Sequence, residues 1–281
     1  MTDTNSRIAF IGAGNMAGSL IGGLLAHGHP ANNVRASTRS QASAAQVQDT
    51  FGIDCTTDNR DLTAWADVLV LAVKPQMMRD TCELLADALD HQPLIISVAA
   101  GITTQLMDKW LGGNRAIVRC MPNTPSALHT GATGLYANTK VSAEQRQQAQ
   151  QLLQAVGIAE WVADEQLMDA VTAVSGSGPA YYFLLMELME KAATELGLDA
   201  GTARRLTIQT ALGAARMAAQ GEHDPAELRR RVTSKNGTTD RAITTFLQEG
   251  LADTIRKGMT GARDRGREMA AENKENPTDI N

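Results

Sequence analysis

The sequence predicts an α/β protein in which a doubly wound parallel sheet is followed by an all-α region. Three observations indicate this fold. Short apolar runs alternate with longer helical stretches in the first half, a glycine-rich motif separates the first run from the first helix, and no strand-like run follows Val162. The length of 281 residues favours two domains, because single hydrophobic cores rarely grow beyond roughly 250 residues.

Short apolar runs separated by helical stretches are typical of buried strands in a parallel sheet with helices on both faces. The predicted strands are Ile8–Ile11, Val34–Ser37, Val68–Ala72, Leu94–Val98 and Ala116–Cys120. Asn15–His27 and Pro75–Leu89 are long enough for crossover helices. Gly134–Tyr136 and Glu160–Val162 are predicted edge strands, with a helix over Ala143–Val156 between them.

The chain after Val162 is predicted to be helical. Pro179 is typical of a first helical turn and Gly197 of a helix end. The predicted helices are Ala180–Leu196, Thr202–Gln220, Pro225–Val232, Thr239–Glu249 and Ala252–Met269. We therefore predict a sheet domain over residues 1–164 and a helical domain over residues 165–281.

Composition excludes several classes of protein. Hydrophobic residues make up 43% and charged residues 20% of the chain, which rules out wholesale disorder. The net charge of -5 argues against a nucleic-acid or anionic-membrane binder. The uncharged stretch from Ile8 to Ala26 contains five glycines, unlike a membrane span.

Three cysteines without a CxxC motif are typical of reduced thiols, so we expect a soluble, cytoplasmic protein. The histidines lack metal-ligand spacing, and no metal site is predicted.

The motif after the first strand has the form G-x-G-x-x-A, which is typical of dinucleotide binding. Gly12 permits a tight turn, Gly14 lets the backbone approach a pyrophosphate, and Ala17 lets the helix pack on the strand. The amides at the start of the helix then face the anion. Because the motif follows a strand and opens a helix, we favour this interpretation over a plain structural turn.

The residues about 20 positions further along bear on the choice of nicotinamide cofactor. Ser37, Thr38 and Arg39 stand where an NAD site has an acidic residue. Hydroxyls and a guanidinium match a 2′-phosphate, so NADPH is predicted to be preferred and NADH to be possible. The alternative is that Arg39 is a solvated loop residue.

Two kinds of loop complete the candidate site. Three loops follow strands and contain small residues that let a flat ring approach: Ala72–Pro75, Val98–Gly101 and Met121–Pro125. Lys74, in the first loop, can belong to the site or can equally be a solvent-facing charge. Ser175–Pro179 and Asn236–Thr239 each lead into a helix, where exposed amides can hold a carboxylate. The alternative is that both are helix caps, but their pairing with a dinucleotide-binding fold favours ligand binding.

Together these motifs resemble those of pyrroline-5-carboxylate reductases over nearly the whole chain. The matching stretches are Gly12–Ala17, Ala72–Gln76, Val98–Gly101, Met121–Pro125, Val174–Tyr181 and Leu228–Gln248. Val232–Thr239 is the most specific element, although Lys235 and Asn236 stand where the family usually has Pro and Gly. The resemblance implies an oxidoreductase that reduces 1-pyrroline-5-carboxylate to L-proline with NAD(P)H, the last step of proline biosynthesis.

The resemblance also implies the site residues and the partners. The cofactor would contact Ile11, Gly12, Ala13, Gly14, Asn15, Met16, Ser37, Arg39, Asn59, Ala72, Val73, Lys74, Pro75, Ala99, Ala100 and Gly101. The small-molecule substrate would be bound by Ser175, Gly176, Ser177, Gly237, Thr238 and Thr239. It would lie between a Rossmann-like NAD(P)-binding domain and the helical domain of a homodimer, which can assemble further. Thr239 is the predicted catalytic residue, because its hydroxyl can meet and orient the imine nitrogen.

A dimer is also predicted from the residues themselves. The segment Tyr181–Met189 leaves almost no polar face on its helix, and a helix that is apolar all round must be buried on all sides. A second subunit would complete its surroundings; the alternative is that its own neighbours suffice.

Two other functions stay open. A β-hydroxyacid dehydrogenase would need a catalytic lysine in a G-x-x-x-N-x-x-K context, but Lys191, the only lysine between Asp169 and Gln220, lacks that context. A non-enzymatic NADP-sensing protein would keep Gly12–Ala17 and need neither of the two later turns.

Overall fold

A computed structural model of the chain describes the backbone of residues 5–275 and the side chains of residues 5–272. It confirms the α/β class, because an eight-stranded sheet is followed by helices. The strands are β1 Ile8–Ile11, β2 Val34–Ser37, β3 Asp54–Thr56, β4 Val68–Leu71, β5 Leu94–Ser97, β6 Ile117–Met121, β7 Gly131–Ala137 and β8 Gly157–Trp161. Over these described residues, no helix has the length and apolarity that a membrane crossing requires.

The α-helices connect the strands and then continue alone. Those of the first part are α1 Asn15–Ala26, α2 Gln41–Phe51, α3 Asn59–Trp65, α4 Met78–Leu85, α5 Thr104–Trp110, α6 Ala143–Gln154 and α7 Met168–Val171. A π-helical turn, Thr172–Gly176, follows α7. The later helices are α8 Gly178–Glu195, α9 Ala200–Gln220, α10 Pro225–Arg231, α11 Thr238–Gln248 and α12 Leu251–Glu275.

The order of the strands creates a crevice at one edge of the sheet. The strands lie in the order β3-β2-β1-β4-β5-β6-β7-β8 and pair in parallel, except for the antiparallel pair β6–β7. The chain runs outward from β1 to β3 and then returns to place β4 on the other side of β1. In doubly wound sheets, ligands bind beyond the carboxyl ends of the strands where the order reverses in this way.

Apolar side chains fill both faces of this sheet. Phe10, Val70 and Ile96 belong to one fully buried cluster, and their strand neighbours Ile11 and Leu71 belong to the other. Successive residues of a strand point to opposite faces. Strands that are buried on both faces therefore read as continuous apolar runs, which is why the sequence located five of them.

The structure corrects several element bounds. β3 was not predicted, because its three residues are only half-buried or exposed and carry Asp54 in place of an apolar residue. The predicted edge strand Glu160–Val162 exists as the edge strand β8, but its bounds are wrong, since β8 runs from Gly157 to Trp161 and buries only Ala159. Gly134–Tyr136 lies inside the longer β7, and its prediction as an edge strand is wrong, because β7 pairs antiparallel with β6 and parallel with β8.

The described chain divides into two compact units. The sheet unit comprises residues 5–177 with 262–275, and the helical unit comprises residues 178–261. Within the helical unit, α8 packs on α9, where Ala203 and Thr207 are buried. Large apolar side chains of α8 stay exposed in the single chain, among them Tyr182 at 67% and Phe183 at 64%. The functional domain boundary between residues 164 and 165 stays a prediction.

Candidate functional site

The turn between β1 and α1 has the geometry of a nucleotide-binding loop. Gly12 has φ +92°, and a Cβ atom there would lie 3.0 Å from the carbonyl oxygen of Ala72. Its N–H donates to the carbonyl oxygen of Ser37 at 3.2 Å. Gly14 is the N-cap of α1 and provides no side-chain cap. The first-turn amides of α1 are therefore open to an anion.

A cleft of about 690 Å³ lies over this turn. Ala13, Gly14, Asn15 and Met16 form one wall, and Thr38 lies on the wall that leads to α2. The residues of α2 that line the cleft are Ser43, Gln46, Val47, Thr50 and Phe51. The cleft thus extends from the predicted pyrophosphate loop along the side where an adenosine half of a dinucleotide would lie.

The three residues at the end of β2 and beyond it differ in what they can offer a ligand. Ser37 is 1% exposed; its hydroxyl donates to the carbonyl oxygen of Phe10 at 3.5 Å and accepts from the N–H of Gly12 at 3.4 Å. The hydroxyl of Thr38 donates to the carbonyl oxygen of Ser40 at 3.0 Å. Arg39 is exposed and has no ion pair within the described residues. Thr38 and Arg39 are therefore more accessible than Ser37.

The other predicted cofactor residues are brought to the same edge of the sheet. Ala72–Pro75 follows β4, Ala99–Gly101 follows β5, and Asn59 opens α3 directly after β3. Asp58 caps α3, because its carboxylate accepts from the N–H groups of Arg60 and Asp61. Lys74 is exposed. The structure therefore gathers all sixteen predicted cofactor residues at the carboxyl ends of five adjacent strands.

The turn Ser175–Ser177 offers fewer free amides than a simple loop would. The N–H of Ser177 donates to the carbonyl oxygen of Thr172 at 2.8 Å, five residues back. The hydroxyl of Ser175 donates to the carbonyl oxygen of Val171 at 3.0 Å. The Ser177 hydroxyl has no hydrogen bond to any described residue and is half-buried. The Ser177 hydroxyl is thus the free donor of this turn, while the Ser175 hydroxyl can still accept.

A buried charged cluster anchors the segment that leads into this turn. Arg119 on β6 is 5% exposed; its guanidinium lies 3.3 Å from the carboxylate of Glu165 and 4.0 Å from that of Asp169. Glu165 also accepts from the N–H and hydroxyl of Thr104 at 2.7 and 2.8 Å. Burial raises the pKa of Asp169, while the charges of Arg119 and Arg267 act in the opposite direction. The cluster connects β6, α5 and α7.

The start of α11 repeats the features of the start of α1. Gly237 is the N-cap, with an extended backbone and no side-chain cap. Its own N–H donates to the carbonyl oxygen of Ser234 at 2.9 Å. Thr238 and Thr239 are exposed, and no described residue hydrogen-bonds the Thr239 hydroxyl. Thr239 therefore makes no capping hydrogen bond, and its hydroxyl is available to a ligand.

The contrast with the capped helices is direct. A side-chain oxygen caps six helices, α2, α3, α5, α6, α9 and α10, through Ser40, Asp58, Thr103, Ser142, Asp199 and Asp224. At α1 and α11 a glycine stands in that position. Both ends leave first-turn amides without a side-chain partner.

Sequence reasoning missed one polar side chain that contacts the Ser175–Ser177 turn. Asn123 is 9% exposed and connects the loop after β6 to the carbonyl oxygen of Ser175. The sequence analysis used the loop Met121–Pro125 for its small residues and for the family resemblance, and assigned no role to Asn123. A buried asparagine after a strand is a signal that could have been used, since buried amides need partners.

Comparisons with known proteins cover both parts of the chain. A family model described as pyrroline-5-carboxylate reductase dimerisation matches residues 165–269, and one described as NADP oxidoreductase coenzyme F420-dependent matches residues 7–101. The pyrroline-5-carboxylate reductase of Pseudomonas aeruginosa is 56% identical over 264 residues, covering 94% of this chain and 97% of the relative. That of Vibrio alginolyticus is 44% identical, covering 94% and 98%.

Solved structures give the same result. A pyrroline-5-carboxylate reductase from Coxiella burnetii is 45% identical, with a TM-score of 0.92 over 94% of this chain and 98% of the other. The Plasmodium falciparum pyrroline carboxylate reductase, solved with NADP bound, shares the fold at 24% identity, with a TM-score of 0.83 over 95% and 99%. By sequence, by family model and by fold, this chain belongs to the pyrroline-5-carboxylate reductase family.

Proposed function

We propose that this chain reduces the C=N bond of 1-pyrroline-5-carboxylate to give L-proline, with NADPH as the preferred hydride donor. The observation that supports this most directly is the pair of glycine-capped helix starts at α1 and α11. A dinucleotide pyrophosphate and a small carboxylate are both anions that such ends attract. The reaction needs one site for each.

The chemistry requires orientation more than proton transfer. When bound, the reduced nicotinamide supplies a hydride. The imine carbon accepts the hydride, and the electron pair of the C=N bond moves to the ring nitrogen, which already carries its proton in the iminium form. The product is the ring amine of proline. No side chain of this protein has to change its protonation state, and holding the reacting atoms about 3–3.5 Å apart is the main task.

The start of α11 supports the assignment of the substrate residues. The amides of Gly237, Thr238 and Thr239 lie at the positive end of the helix, and we assign the substrate carboxylate to this end. Because Gly237 already donates to Ser234, the two threonine amides are the better donors. We assign the unbonded Thr239 hydroxyl to the imine nitrogen. The hydroxyls of Ser175 and Ser177, together with Gly176, would form a second wall.

NADPH preference rests on the residues after β2. Thr38 lines the cleft and Arg39 is exposed beside it, and a guanidinium recognises a phosphate by charge and geometry. The Ser37 hydroxyl is occupied in holding the glycine turn and the Thr38 hydroxyl donates to Ser40, so we assign the 2′-phosphate chiefly to Arg39. NADH lacks this phosphate and would still occupy the pyrophosphate site.

The exposed apolar face of α8 supports a homodimer formed by the helical part of the chain. Phe183, Leu184 and Leu188 are all more than half exposed in the single chain, and exposed apolar patches of this kind mark interfaces. We expect sedimentation to give at least twice the chain mass of 30.0 kDa at micromolar concentration. An active, folded monomer at that concentration would contradict the dimer.

We also propose the functional division into an NAD(P)-binding domain, residues 1–164, and a helical substrate-binding and dimerisation domain, residues 165–281. The match of the dimerisation family model from residue 165 supports this boundary. A cytoplasmic location is consistent with the three unpaired cysteines, Cys55, Cys82 and Cys120. Burial raises the pKa of the Cys82 thiol to about 12 and also raises that of Cys120, so neither is a reactive thiolate near neutral pH.

A turnover assay tests the function. The purified chain should consume NADPH in the presence of 1-pyrroline-5-carboxylate and form stoichiometric proline, and NADH should serve less well. Cofactor binding without turnover would instead support an NADP-sensing protein. Turnover of a β-hydroxyacid with NADP⁺, but not of the imine, would assign the chain to the other class of reductase.

A further inference from the structure

The carbonyl group of Ser175 cannot take its normal helical hydrogen bond. In an α-helix this oxygen would accept from the N–H of residue 179, which is a proline and has no N–H. A proline ring also crowds the carbonyl four residues before it. The chain forms the π-helical turn Thr172–Gly176 at this point, as helices often do near functional sites. The Ser175 carbonyl oxygen therefore needs a donor from elsewhere.

Asn123 provides that donor. Its Nδ2 group donates to the carbonyl oxygen of Ser175 at 3.0 Å, and its Oδ1 atom accepts from the N–H of Ala132 on β7 at 2.9 Å. The orientation of the amide follows from these partners, because only an oxygen can face the Ala132 N–H. Both ends of this buried side chain are thus used.

A second contact holds the same turn at the end of β6. A Cβ atom on Gly176 would lie 2.6 Å from the terminal methyl carbon of Met121, so the turn packs against the flexible end of this side chain. Strand β6 lies next to β5, whose carboxyl end leads into the predicted cofactor loop Ala99–Gly101. The hydrogen bond from Asn123, with Met121 packed beside it, therefore holds the turn at the end of β6, next to the strand that leads into that loop.

We propose that Asn123 is a positioning residue for substrate binding: its carboxamide holds the Ser175 carbonyl, and with it the hydroxyls of Ser175 and Ser177, in place for the substrate. The inference rests on the proposed function, which assigns those hydroxyls to the substrate site. A purely structural residue would affect stability and leave the two KM values alone. A positioning residue would change the KM of one substrate selectively.

The test compares Asn123→Asp with Asn138→Asp. Aspartate keeps the shape and the acceptor for Ala132, removes the donor to Ser175 and places a carboxylate against that carbonyl oxygen; Asn138→Asp makes the same change beside its own carbonyl partner. Asn138 is a matched control at the other end of β6, because its Nδ2 donates to the carbonyl oxygen of Arg115 at 2.9 Å and its Oδ1 accepts from the N–H of Ile117 at 3.2 Å. We expect Asn123→Asp to raise KM for the imine about 10- to 100-fold with KM for NADPH unchanged.

The outcomes separate the two proposals. Absence of imine reduction by the unmodified chain would overturn the proposed function. Normal imine KM in active Asn123→Asp, or an equal rise in Asn138→Asp, would overturn only the positioning role.

A second variant, Pro179→Ala, keeps the test valid if Asn123→Asp does not fold. It supplies the missing N–H and removes the crowding ring, so the Ser175 carbonyl can turn into a regular helical hydrogen bond and away from Asn123; imine KM should then rise while the melting temperature is kept. Unaltered KM in this variant would count against the proposal. Where both single variants fold, the double variant should have the imine KM of Pro179→Ala alone, since the shared carbonyl couples the two sites; fully additive effects would contradict the role.

Discussion

The starts of α1 and α11 share one local structure and differ in their surroundings. Both have a glycine N-cap with φ near -80° and an extended ψ, and neither has a side-chain cap. The start of α1 lies at the crevice of the sheet, beside β2 and β4. The start of α11 is exposed, with Thr238 and Thr239 accessible in the single chain.

If both helix ends bind an anion, as we propose, their different neighbours decide which anion each one takes. Small residues beside α1, such as Gly12 and Ala13, leave room for a long dinucleotide along the cleft. Beside the α11 start, two hydroxyls stand within one helical turn, which suits a compact carboxylate with a polar ring atom.

The largest effect is expected from Thr239→Ala. Loss of the hydroxyl should lower kcat/KM for the imine about 10- to 1000-fold, the range of one lost active-site hydrogen bond with misplacement. NADPH binding should be unchanged. Because Thr239 makes no capping hydrogen bond to a described residue, the melting temperature should stay near that of the unmodified chain.

Thr244→Ala is the matched control for Thr239→Ala. Thr244 is an exposed threonine on the same helix and lies outside its first turn. Its replacement should leave the kinetics normal. A lower melting temperature with normal kinetics in Thr239→Ala would mean that the hydroxyl only stabilises the helix.

Gly12→Ala should weaken the α1 site without affecting the α11 site. A side chain at φ +92° is strained and would meet the carbonyl of Ala72, so we expect NADPH affinity to fall about 10- to 100-fold. Gly113→Ala is the control, because Gly113 has φ +86° and free space around it at the far end of α5. Equal losses of cofactor affinity in the two variants would show that strain alone is responsible.

Arg39→Ala should have a more selective effect within the cofactor site. We expect KM for NADPH to rise about tenfold through loss of one charge-assisted contact. KM for NADH should stay the same, because NADH has no 2′-phosphate. Similar changes with both cofactors would exclude Arg39 from phosphate recognition.

The smallest effect concerns the departure from the family pattern at the α11 turn. Asn236 has φ +61°, a conformation that asparagine tolerates, and its N–H donates to the carboxylate of Asp240 at 2.9 Å. Asn236→Gly should change the free energy of unfolding by no more than about 0.5 kcal/mol, and Asn236→Ala should cost about 1 kcal/mol. Denaturant titration measures both, and imine KM should be unaffected in each.

The sequence predicted the buried strands and the glycine turn well, because both depend on local pattern. Runs such as Val68–Leu71 are apolar at every position. The position of Gly12 directly after a strand predicts the tight turn. β3 and the correct bounds of β8 were missed. Both are edge strands, and β8 buries only Ala159, so their sequences show little hydrophobic periodicity.

The hydrogen bonds and ion pairs that hold the Ser175–Ser177 segment could not be predicted in the same way. Asn123 lies 52 residues from Ser175 along the chain, and Arg119 lies 46 from Glu165. Such contacts depend on how the strands and helices pack, which no local pattern encodes. The π-helical turn is an intermediate case, since Pro179 in the sequence already removes a donor from the helix.

Helix α12 has a consequence for how this protein can be recombined with its relatives. Its first residues, 251–261, belong to the helical unit, and residues 262–275 belong to the sheet unit, where Arg267 lies 3.8 Å from the carboxylate of Asp169. A chimera with one crossover near residue 177 would therefore combine the sheet of one parent with the second half of α12 from the other, although both belong to the same unit. Crossovers at both 177 and 262 would keep each unit from a single parent, because the helical unit is inserted into the chain of the sheet unit.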